Sequence, residues 1–125
     1  MKPVKLTQRE LDVMSVLWEM GEATAAEVRD KVDPDLAYTS ISTVIRLLEA
    51  KGFVGHRKGD GKTHVYFPVI DAAAAGKSAL GRVIDKIYGG SPVALLANLL
   101  DQRRLSPQEL ARMRALLDGP KKKKP

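Results

Sequence analysis

Few side chains in this 125-residue sequence are equipped for covalent or redox chemistry. It has no Cys, which removes thiolate nucleophiles, thiolate metal sites and disulfides together. Its imidazoles are His56 and His64. Folding the segment between them into a hairpin about Asp60 sets the two rings opposite each other, a pair that could offer two ligands to zinc. Two imidazoles leave a tetrahedral ion half-bound, so both are read as polar hairpin residues, and no metal or cofactor is assigned. Gly59-Asp60-Gly61 is a turn rather than a phosphate loop, and no nucleotide-binding glycine pattern is present. An enzyme is not expected.

The remaining chemistry is that of recognition. Thr39, Ser40, Ser42, Thr43 and Arg46 fall within one short run, and Arg57, Lys58 and Lys62 cluster around the glycine turn. Short hydroxyls and a guanidinium reach base edges and phosphates, and cations at a hairpin tip suit a phosphate backbone. These eight residues are the candidate DNA contacts. The net charge of +6 is weaker support, because its location matters more than its sum. Through Ile70 the basic and acidic residues balance at ten each, and Lys121 to Lys124 carry four of the excess charges. That lysine-rich tail, 120–125, reads as a disordered, solubilising end.

The elements that must position these residues follow from local signals. Thr7-Gln8-Arg9-Glu10 is a capping box that opens a helix with Leu11, Met14, Leu17 and Trp18 at helical spacing, and Gly21 closes it. A second box, Thr24-Ala25-Ala26-Glu27, starts a short helix that Pro34 stops. Thr39 or Ser40 is expected to cap a third helix, with Ile41, Val44, Ile45 and Leu48 inward and Gly52 as its C-cap. The polar run then lies on the opposite face. Phe53 to Arg57 and Thr63 to Val69 are strand-like segments flanking a turn. Three helices and a hairpin, with the second and third helices joined by a tight turn, spell a winged helix-turn-helix.

After Ile70 the composition turns to alanine and the pattern becomes helical. Three amphipathic helices follow, carrying Leu80, Ile84, Ile87 and Tyr88; Leu95, Leu96, Leu99 and Leu100; and Leu110, Met113, Leu116 and Leu117. Ser91-Pro92 and Ser106-Pro107-Gln108-Glu109 open the last two. So many apolar side chains in so few residues predict an interface with a second copy. The expected fold class is mainly α with a small β-hairpin. Its expected divisions are a winged helix-turn-helix domain over 1–70, an all-helical dimerisation region over 71–119, and the tail.

Leu6-Thr7-Gln8-Arg9-Glu10-Leu11-Asp12-Val13-Met14, Leu17-Trp18 and the run Tyr38 to Leu48 occur in the same order as Lys51-Gly52-Phe53-Val54, His64-Val65-Tyr66-Phe67-Pro68 and Lys86-Ile87-Tyr88-Gly89-Gly90. Taken together, these segments resemble the BlaI/MecI penicillinase-repressor family across nearly the whole chain. The resemblance implies a homodimeric transcriptional repressor of double-stranded operator DNA, with the helix from Thr39 as recognition helix and the hairpin around Gly59 as wing. It also implies regulation of β-lactam-resistance genes and release by a sensor-dependent protease. The segment Leu95 to Leu100 matches the family's cleavage region, which places the candidate bond between Asn98 and Leu99; the family typically has Phe after the Asn. Copper-sensing members use C-terminal cysteine pairs that this chain lacks. A cytoplasmic protein is expected, with no apolar run long enough to span a membrane and no secretory leader. A winged helix used for protein or RNA contacts is the alternative.

Overall fold

The computed structural model describes residues 4–122, with side chains through Gly119. The order of elements is α1 (Gln8–Met20), α2 (Ala25–Val32), α3 (Tyr38–Ala50), β1 (Val54–Lys58), β2 (His64–Pro68), α4 (Ala72–Lys86), α5 (Pro92–Gln102) and α6 (Pro107–Lys122). The chain divides into two compact units, Met1–Gly81 and Arg82–Pro125. The first unit therefore continues beyond Ile70 into α4. The last helix reaches Lys122, and 123–125 of the lysine-rich tail lie outside the described residues.

In the first unit, α1 and α2 begin at reciprocal capping boxes. The Thr7 hydroxyl accepts from the Glu10 N–H at 3.2 Å while the Glu10 carboxylate accepts from the Thr7 N–H at 2.9 Å. Thr24 and Glu27 repeat the arrangement at 3.2 and 2.8 Å. The two helices end differently. Gly21, at φ 86°, returns its N–H to the Leu17 carbonyl, whereas Asp33 is extended as a residue before proline must be.

The third helix departs from expectation. It begins at Tyr38 with Ala37 as N-cap and no side-chain capping bond, so neither Thr39 nor Ser40 caps it. Leu36 packs partly against the core and fixes where the chain turns inward, which starts the helix early and leaves both hydroxyls exposed within its first turn. Its other end is a Schellman motif. The Phe53 N–H bonds the Leu48 carbonyl and the Gly52 N–H the Glu49 carbonyl, with Gly52 at φ 86°.

Val13, Met14, Leu17, Val28, Ile41, Ile45 and Leu48 are fully buried and join α1, α2 and α3 in one core. Leu11, part of the apolar pattern of α1, is instead 46% exposed. The two strands pair antiparallel, and Ala23 adds an isolated bridge to Tyr66 through two backbone hydrogen bonds of 2.9 and 2.8 Å. Trp18 donates its indole N–H to the Ile70 carbonyl at 2.9 Å, tying the chain after β2 to α1. Gly55 in β1 lets the Phe67 ring lie across the strand, since a Cβ there would come within 2.8 Å of the ring and force it to shift.

One ion pair crosses this core. Glu10 is 3% exposed, and the Lys51 ammonium donates to both of its oxygens at 2.9 and 2.7 Å, linking the start of α1 to the C-cap of α3. Burial pushes the Glu10 carboxyl up, but the Lys51 hydrogen bond, the Thr7 contacts and the Lys51 charge together hold it below its ordinary 4.5. A folded-state value below the unfolded one means the pair stabilises fully above about 4.5 and loses that contribution as pH falls through the folded value. Glu10→Gln should therefore cost about 1–3 kcal/mol at neutral pH. Urea denaturation of both proteins should show the gap narrowing in acid; a gap independent of pH would contradict this assignment.

Candidate nucleic-acid interface

Because Ile41, Ile45 and Leu48 are fully buried, the opposite side of α3 faces water. Thr39, Ser40, Thr43, Arg46 and Ala50 are exposed there and Ser42 is half-buried. All five polar residues singled out in this helix thus lie at least partly open. Arg46 approaches the Thr43 hydroxyl at 3.5 Å, which keeps the guanidinium along the exposed stripe.

The wing follows directly from the Schellman turn. Its register is Lys58↔His64, Arg57↔Val65 and His56↔Tyr66, so His56 and His64 are not cross-strand partners as folding about Asp60 required. Gly61 takes φ 61°, and the Gly59 N–H donates to the Thr63 carbonyl at 2.8 Å, which centres the loop one residue later. The imidazoles meet diagonally instead, stacked with centroids 4.4 Å apart. His56 Nδ1 also lies 2.5 Å from the Glu49 carboxylate, joining the last turn of α3 to the wing. Among the described residues no group of three or more His, Cys, Asp or Glu could hold a metal ion.

The three wing cations differ in their surroundings. Lys58 and Lys62 are exposed at the tip. Arg57 makes a two-pronged pair with Glu22, Nε to Oε1 at 3.1 Å and Nη2 to Oε2 at 2.6 Å, and donates through Nη1 to the Lys58 carbonyl. The Arg57 hydrogen bond holds the Glu22 carboxyl below its usual range, and Glu22 in turn raises the guanidinium. Glu22 was not among the sequence candidates, since nothing local connects it to a residue 35 positions away.

Between α2, the start of α3 and the wing lies a cleft of about 520 Å³, lined by Thr24, Ala25, Ala26, Tyr38, Lys62, Thr63, His64 and Tyr66. It brings one tip lysine beside the start of α2 and the first residue of α3. Burial raises the Tyr66 phenol, with Glu49 and Tyr38 adding to the effect and Arg46 opposing it, so Tyr66 stays a neutral hydroxyl at physiological pH.

Described by itself, the second unit has the opposite character. None of its described residues is buried. Ile87 is 71% exposed, Leu116 74% and Leu117 69%; Leu96, Leu99 and Leu100 are exposed too, as is Leu80 at the end of the first unit. Ile84, Tyr88, Leu95, Leu110 and Met113 are half-buried. Asn98 sits inside α5 and donates to the Tyr88 hydroxyl at 2.6 Å.

Three helices, a tight α2–α3 turn and a two-stranded wing define a winged helix-turn-helix protein. Solved structures agree: the DNA-binding domain of the repressor BlaI superposes with a TM-score of 0.51 at 29% identity, covering 58% of this chain and 90% of that one. Residues 6–119 match the penicillinase repressor family, and the chain belongs to it. The methicillin resistance regulatory protein MecI of Staphylococcus aureus (strain N315) is 26% identical over 119 residues, which is 94% of this chain and 96% of that protein. The penicillinase repressor of Bacillus licheniformis is 25% identical over 122 residues, 96% and 94% respectively. Among the described residues no helix is long and apolar enough to cross a membrane.

The Arg57–Glu22 pair offsets the charge of one wing cation. Glu22→Gln should release it, so affinity for random duplex at low salt should rise severalfold and the salt dependence steepen by about one phosphate contact. Filter binding across a salt series measures both; unchanged values would remove Arg57 from the interface.

Proposed function

We propose that the chain is a transcriptional repressor that binds double-stranded operator DNA as a homodimer, with α3 in the major groove and the wing on the backbone. The observation that carries this reading is the outward stripe of α3, small and polar around Arg46, together with Lys58 and Lys62 exposed on the wing of a unit whose charges through Ile70 sum to zero. Thr39, Ser40, Ser42 and Thr43 are short enough to bring the helix close to base edges. Family membership and the likeness to the BlaI domain support it.

Dimerisation is assigned to the large apolar residues of 71–119, which within a single copy stay exposed or half-buried. Two-fold symmetry then calls for an approximately palindromic operator. The relatives' names make promoters of β-lactam-resistance genes the first to test. Release is assigned to a cut between Asn98 and Leu99 by a sensor-dependent protease. This requires α5 to open, because proteases take extended chain and Asn98 is held in a helix.

Selection of duplexes from a random pool, followed by titration at several salt concentrations, tests the core of the proposal. One palindromic sequence should emerge. Arg46→Ala should cost about 1–3 kcal/mol on it and far less on random DNA. Lys58→Ala with Lys62→Ala should lower the salt slope by about two on either. Binding without sequence preference would contradict the repressor reading. A chain ending at Gly81 should sediment as a monomer and bind weakly, having lost the linkage of two readers; a dimer would place the interface elsewhere. Intact-mass spectrometry after β-lactam exposure should reveal a fragment ending at Asn98, whereas full-length protein in derepressed cells would exclude the cut.

A further inference from the structure

One residue on the outward stripe of α3 does not fit its polar character. Leu47 is 52% exposed, although Leu48 beside it is fully buried. At about 100° per residue, Thr43 stands opposite the buried stripe, with Arg46 and Leu47 flanking it on either side and Ala50 one turn further on. All four are exposed. The core does not need Leu47, and a leucine held in water forgoes the gain of burial.

We propose that Leu47 is a sequence-reading residue that recognises the 5-methyl group of thymine. The inference rests on the assignment of α3 to the major groove. Base edges in that groove present hydrogen-bond donors and acceptors, and the thymine methyl is the apolar group among them. A leucine on the inserted face has that one complementary partner on unmodified DNA. Arg46, on the other flank of Thr43, suits guanine O6 and N7. The two side chains thus read different bases, and Leu47 adds discrimination that a purely polar helix face lacks.

Replacing thymine by uracil tests this directly, because it deletes the methyl and preserves every base-pair hydrogen bond. The full-length protein is first used to select a duplex from a random pool; each thymine is then replaced by uracil in turn, and affinities are measured for the wild type, Leu47→Ala and Leu47→Met. At one thymine per half-site, uracil should weaken wild-type binding about fourfold, the worth of one buried methyl. Leu47→Ala should be indifferent to the same replacement, and Leu47→Met should retain the sensitivity. Since Leu47 lies outside the core, the alanine variant should melt with the wild type, which separates loss of reading from loss of fold. Uracil tolerated everywhere, or equal losses in wild type and Leu47→Ala, would overturn the role of Leu47 while leaving the repressor reading intact. Failure to select any sequence would overturn both.

Discussion

The burial of Ile41, Ile45 and Leu48 against α1 and α2 is the constraint on which the rest of this protein depends. A helix has one rotational setting in which a given stripe is buried, so sealing these side chains decides which residues face outward. The same packing fixes the end of α3, where the Schellman turn at Gly52 hands the chain to β1. The outward face of α3 and the wing are therefore positioned by one apolar contact. A slip of α3 would turn Thr43 and Arg46 away while leaving their identities unchanged.

Charge in the first unit is divided between structure and surface. Lys51 is bound to buried Glu10 and Arg57 to Glu22, so two cations brace the α1–α3 junction and the wing. Lys58 and Lys62 remain exposed at the tip, and Arg46 stays on the helix face. A near-neutral domain can thus present a local basic surface, because proximity rather than total charge sets the field that a phosphate meets. The Glu49–His56 contact and the stacked imidazoles brace the wing against the last turn of α3.

What was legible in the sequence was local. The Thr7, Thr24 and Ser106 boxes, the Ser91 cap and the glycine ends of α1 and α3 each lie within a few residues, where backbone geometry and side-chain reach suffice. The start of α3 was misplaced because Leu36, through tertiary packing, overrides the capping preference of Thr39 and Ser40. The hairpin register was misplaced because alternation places side chains on faces but does not locate the centre of the loop. Glu10–Lys51, Arg57–Glu22 and the Ala23–Tyr66 bridge join distant parts of the chain and left no periodic trace. Of the candidate site, the residues of α3 and the wing tip were readable from type and spacing, while the partner that occupies Arg57 was not.

The second unit obeys the same physics with a different result. Its helices are well capped, yet they bury no described side chain completely, which leaves their apolar faces open to a further surface. In the proposed function, the first unit reads and the second joins. There, DNA reading is confined to the outward stripe of α3 and the wing tip. Titrating a selected duplex into isotope-labelled full-length protein and following backbone amide resonances tests it most directly. The largest shifts are expected from Thr39 to Leu47 and from Lys58 to Lys62, with the outer face of α1 and all of α6 nearly unmoved; shifts centred on α1 or α6 would rule this confinement out.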